Sequence, residues 1–124
     1  LQIKCSKDVA DIFQPLLGDL QHEEFWILFL NRSNRVIGRM KLSQGGVSGT
    51  VTDVRMIMKK AVEYLASGII VCHNHPSGNL NPSDSDSKIT QKIKDAGNLM
   101  DIQVLDHLII TEREYFSFAD NGLI

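Results

Sequence analysis

The chain alternates apolar stripes at helical spacing with short, nearly unbroken apolar runs, and this pattern predicts its elements. Val9, Ile12, Phe13, Leu16 and Leu17 recur at helical steps behind Ser6. They predict an amphipathic helix capped by Ser6 and kinked or broken at Pro15. Glu23 to Leu30 runs almost continuously apolar and aromatic, as in a strand covered on both faces. The turn Asn31-Arg32-Ser33-Asn34 returns the chain as a second strand, Arg35 to Ser43, in a β-hairpin broken by Gly45-Gly46. From Thr52, placed as an N-cap, Val54, Ile57, Met58, Ala61 and Leu65 mark a buried helical stripe, with Gly68 as its C-terminal glycine. A strand to Cys72 follows. After a loop, Ser83 opens a polar helix reaching about Ala96, with Gly97 as its stop signal. Ile102 to Thr111 reads as a strand, and Tyr115 to Phe118 as a short last one, exposed enough to pair between chains. The order predicts an α/β domain of the α+β type, a mixed β-sheet flanked by helices.

Composition sets the bounds. The 124 residues, 43% hydrophobic and 23% charged, fit one globular domain spanning 1–124. No apolar run approaches the roughly 18 residues of a membrane span. No basic start precedes an apolar core, so no signal peptide is read, and Leu1 in place of Met marks a trimmed chain or a fragment. Cys5 and Cys72 lie far apart, without a C-x-x-C pair, which fits a reducing compartment, and the expected location is cytoplasmic. The net charge of -2 gives no global attraction to phosphate backbones. Lys59, Lys60, Lys88, Lys92 and Lys94 sit among acids in helical patterns, as on solvated helix faces rather than a nucleic-acid patch.

The chemistry concentrates after Gly68-Ile69-Ile70-Val71-Cys72. Residues two apart on a strand share a face, so His73 and His75 can present two imidazoles together while Asn74 and Cys72 face away. Pro76 and Gly78 turn the chain, and Asp86 can return a third ligand from the next helix. Two His and one Asp suit a single Zn²⁺ with an open fourth position for water, the arrangement of catalytic zinc sites. Each half has a plainer explanation. Two strand histidines are commonly satisfied by hydrogen bonds, and Ser83-Asp84-Ser85-Asp86 is by itself a helix capping box. A capping Ser83 also fixes where Asp86 points.

The spacing H-x-H-P-x6-S-x-x-D, met without a gap from His73 to Asp86, resembles the JAMM motif of JAB/MPN metalloproteases. His73-Asn74-His75-Pro76-Ser77-Gly78, with Leu105-Asp106-His107-Leu108-Ile109-Ile110 downstream and Glu23-x-Phe25 upstream, is similar to the RadC-like DNA repair family, over about Glu23 to Gly122. The resemblance implies a JAB/MPN, cytidine-deaminase-like architecture and a zinc-dependent cleavage of a peptide or isopeptide bond in a protein substrate. It makes His73, His75 and Asp86 the zinc ligands, Ser83 the donor to the oxyanion, and an upstream glutamate the general base. Glu23 matches that glutamate because Phe25 follows two residues later, and Glu23, Phe25, Ile27 and Phe29 share a strand face. Glu24 is the fallback. His107 reads as structural, or as a residue behind the ligands. The resemblance also implies that relatives carry an N-terminal helical region suited to DNA, so that this chain is the C-terminal part of a longer protein.

Other classes fit less well. The adjacent letters His-Asn-His do not make an HNH nuclease, whose residues are scattered. A zinc deaminase needs H-x-E with P-C-x-x-C, and a two-metal nuclease more carboxylates. The competing reading is a DNA-repair binding module that contacts DNA or a repair protein and keeps a structural or vestigial metal site.

Overall fold

The computed structural model describes residues 1–44 and 52–124. The expected break at Gly45-Gly46 lies outside the described residues. The elements run α1 (Ser6–Leu17), β1 (Glu24–Leu30), β2 (Val36–Gln44), α2 (Val54–Glu63), β3 (Gly68–Asn74), α3 (Asp84–Leu99), β4 (Gln103–Ile110) and β5 (Tyr115–Ser117). The strands form one sheet in the order β2-β1-β3-β4-β5. Among the described residues only the β3–β4 pairing is parallel, joined through α3, so the sheet is mixed as expected.

Two apolar layers cover the sheet. On one side Val9, Ala10, Phe13 and Leu17 of α1 pack on Leu28, Leu30, Ile70, Cys72, Leu108 and Ile110. On the other, Ile57, Met58 and Ala61 of α2 and Ile93 of α3 cover Phe25, Ile27, Phe29, Ile69 and Val71. Burial of both faces explains why β1 and β3 read as unbroken apolar runs.

Several boundaries differ from the sequence expectation. Cys5, not Ser6, holds the N-cap position of α1, and Asp8 reaches back to the Lys4 and Cys5 N–H groups. Pro15 forgoes its own bond to the Asp11 carbonyl, but α1 continues through it to Leu17. Asp53, not Thr52, caps α2, its carboxylate accepting the N–H of Arg55. Leu65 lies beyond the end of α2, is 83% exposed and takes a left-handed φ of 54°, so it is not in the buried stripe. Gly68 starts β3 instead of closing the helix. Gly97 does not stop α3, which runs to Leu99: a Cβ there would lie 2.3 Å from the Ile102 carbonyl oxygen, so glycine serves close approach, not termination. Phe118 follows β5 and is buried rather than exposed.

One irregularity matters for the site. The register between β3 and β4 shifts after Ile69↔Val104 to Ile70↔Asp106, leaving Leu105 as an extra residue. Such a bulge reverses which face the following side chains occupy. Leu108 and Ile110 therefore pack toward α1, and His107 is turned toward α3.

Candidate metal centre

His73 is the penultimate residue of β3, buried beneath the ring of Phe25, which stacks on it at 5.8 Å. His75 lies one residue past the strand, yet its N–H still pairs with the Ile110 carbonyl at 2.9 Å, so the strand geometry extends through it. The chain then turns, the Gly78 N–H donating to the His75 carbonyl at 3.0 Å with Gly78 at a φ of 85°, and leads into α3. Ser83 caps that helix: its hydroxyl oxygen accepts the Asp86 N–H at 3.0 Å, and Asp86 Oδ2 accepts the Ser83 N–H at 2.8 Å. The capping box fixes the Asp86 carboxylate over the histidines.

His73, His75 and Asp86 form the one cluster among the described residues that could hold a metal ion. Nε2 of His73 and Nε2 of His75 lie 3.0 Å apart, and each lies 3.1 Å from an Asp86 oxygen. Tetrahedral zinc with bonds near 2 Å places its ligand atoms about 3.3 Å apart, so a small inward ion needs little rearrangement. Nδ1 of His75 lies 2.6 Å from the Asn79 carbonyl, to which it can only donate, so Nε2 is the atom that can turn a lone pair to a bound ion. The donor set fits a borderline-soft divalent ion.

The charges agree. Burial opposes ionisation of Asp86, but hydrogen bonds from His73 and His75 outweigh it and hold the carboxyl well below the usual range. Burial also disfavours the charged form of His75, yet Asp86 and the Asn79 carbonyl raise its pKa overall.

The cluster opens into a cleft of about 760 Å³, lined among others by Glu23, Phe25, Thr52, His73, His75, Ser83, Asp86 and Ile89. Glu23 lies just before β1 rather than within it, half-buried at the cleft wall, and its charge acts on His75. Glu24 faces elsewhere: its carboxylate accepts from Trp26 Nε1 at 3.0 Å and lies 2.8 Å from His22 Nε2. The hydroxyl of Ser83 accepts from its own helix, which leaves its hydrogen to donate into the cleft.

Sequence reasoning passed over two positions. Asn74 does turn away from the histidines, but it is buried and brackets Glu23: its Oδ1 accepts the Glu24 N–H at 2.7 Å and its Nδ2 donates to the His22 carbonyl at 2.9 Å. Thr90, on α3 one turn beyond Asp86, bonds His107, which in turn bonds His73. The spacing of four from Asp86 to Thr90 was the available signal, since it puts both on one helix face. Cys72 is core, and its thiol is pushed far up by burial.

The comparisons with known proteins bear on the whole chain. A family model described as "RadC-like JAB domain" matches residues 3–123. A protein of Flavobacterium johnsoniae named "UPF0758 protein" is 57% identical over 122 residues, covering 98% of this chain and 53% of its own length. Namesakes from Porphyromonas gingivalis and Salinibacter ruber are 52% and 43% identical, covering 89% and 100% of this chain and 49% and 53% of their own lengths. The chain thus spans about half the length of these curated relatives. Among the described residues, no helix is long and apolar enough to cross a membrane.

Proposed function

The chain belongs to the RadC-like JAB domain family, and from that premise we propose that it is a zinc-dependent hydrolase cleaving a peptide or isopeptide bond. The observation that carries this reading is the convergence of His73, His75 and Asp86 in a cleft that Glu23 and Ser83 also line. His73 and His75, through Nε2, and Asp86, through its carboxylate, would hold the ion. Zinc at such a site supplies Lewis-acid polarisation of a carbonyl and lowers the pKa of a water from 15.7 to about 7.

The remaining roles fall to the chain's own residues. Glu23 takes a proton from the attacking water and delivers it to the leaving nitrogen, since an amine anion is too poor a leaving group to depart unprotonated. Ser83 donates its hydroxyl hydrogen to the oxygen that gains charge as the carbonyl becomes tetrahedral. Phe25 and Ile89 give the cleft apolar walls beside these groups. We place the domain in the cytoplasm, as the C-terminal part of a longer protein, with a peptide or protein as substrate.

Screening a library of peptides and isopeptide-linked peptides with the zinc-loaded protein tests the reading. Cleavage that disappears in Glu23→Gln while zinc stays bound is the expected result. Retained cleavage in Glu23→Gln would move the base elsewhere. No cleavage by the wild type, together with salt-sensitive binding to duplex DNA, would favour a binding module.

A further inference from the structure

Behind the ligands lies a histidine that the proposed chemistry leaves unused. His107 is fully buried, its ring stacked on Phe118 at 4.5 Å. Its nitrogens join two elements: Nδ1 lies 2.5 Å from Thr90 Oγ1 on α3, and Nε2 lies 2.8 Å from His73 Nδ1 on β3. The Thr90 hydroxyl also lies 2.6 Å from the Asp86 backbone carbonyl.

These contacts determine where the hydrogens sit. A carbonyl oxygen can only accept, so the single hydroxyl hydrogen of Thr90 goes to Asp86. The Thr90 oxygen then accepts, and His107 Nδ1 carries a hydrogen. A neutral imidazole protonated at Nδ1 presents a lone pair at Nε2, so His73 Nδ1 must be the donor across the 2.8 Å contact. With an ion held between His73, His75 and Asp86, that pattern leaves the Nε2 lone pair of His73 free to bind it.

We propose that Thr90 and His107 are positioning residues that fix the tautomer and ring plane of His73, so that Nε2 faces the metal. This inference rests on the reading of His73 as a ligand. The arrangement ties two ligands to one helical turn. Asp86 projects from α3, and the carbonyl of that same residue orients Thr90, which through His107 orients His73 on the neighbouring strand. The bulge at Leu105 makes the link possible by turning His107 to the α3 side.

Two readouts test the relay on the 124-residue chain. Long-range proton–nitrogen correlation spectra of the imidazoles, with and without zinc, report which nitrogen of His107 is protonated. Competition with a chromophoric chelator reports zinc affinity for wild type, Thr90→Val and Thr90→Ser. The relay predicts a hydrogen on His107 Nδ1, an affinity loss of about 10- to 100-fold in Thr90→Val, and near wild-type affinity in Thr90→Ser, which keeps the hydroxyl. A hydrogen on His107 Nε2, or wild-type affinity in a folded Thr90→Val, overturns the relay alone. A wild type that takes up no zinc overturns the ligand reading and this inference with it. Where Thr90→Val does not fold, the wild-type spectra decide the question.

Discussion

The side-chain oxygen of Asn74 accepts the backbone N–H of Glu24 at 2.7 Å, so the residue between the two candidate ligands holds the start of β1. Because its nitrogen also holds the His22 carbonyl, Glu23 is suspended between two anchored neighbours. Asn74→Ala leaves the buried Glu24 N–H and the part-buried His22 carbonyl without this partner and should lower stability by about 1–3 kcal/mol. It should leave zinc affinity nearly unchanged while reducing peptide hydrolysis, because what it loosens is the base. Chemical denaturation beside a zinc competition assay checks both halves.

Glu24 and Glu23 separate by what each one holds. Burial opposes ionisation of Glu24, but the hydrogen bonds from His22 and Trp26 outweigh it and lower its pKa from 4.5. A depressed carboxylate stabilises the fold above its unfolded value, and that contribution is lost as pH falls through the folded value. Glu24→Gln should therefore be less stable than wild type above about pH 4.5, with the gap narrowing in acid, and should still hydrolyse. Glu23→Gln should show the opposite division, unchanged stability and no hydrolysis. Thermal melts across the acid range, read against cleavage at neutral pH, distinguish the two.

Ser83 and Asp86 share a capping box but have different roles in the site. Ser83→Ala should cost about 0.5–2 kcal/mol through the lost cap and slow hydrolysis, with zinc retained. Asp86→Ala removes the same box and a ligand together, so it should lose both cap stability and metal. Zinc content after dialysis is the discriminating measurement.

Much of this arrangement was legible in the sequence. The apolar runs around β1 and β3 and the stripes of α1 and α2 gave the layered mixed sheet, because burial on both faces leaves a direct trace in residue type. The spacing from His73 to Asp86 brought three side chains to one place, since strand alternation and helix capping are local rules. What could not be read depends on contacts distant in sequence. Gly97 has the form of a helix stop but serves the approach of Ile102. Leu65 continues the α2 stripe on paper, yet the helix ends before it and leaves it in solvent. The bulge at Leu105 has no signature in residue type, and without it alternation along β4 would put His107 on the α1 side, away from His73. Asn74 was rightly turned from the ligands, but its partners lie fifty residues upstream for Glu24 and slightly more for His22.

The central claim is that His73, His75 and Asp86 bind one zinc ion. Elemental analysis of protein purified without chelator, for wild type and His75→Ala, tests it most directly. The account predicts about one zinc per wild-type chain, and in His75→Ala a loss of metal together with the thermal stability the metal confers. Wild-type protein without stoichiometric zinc, and a His75→Ala variant unchanged in both metal content and melting temperature, would contradict it.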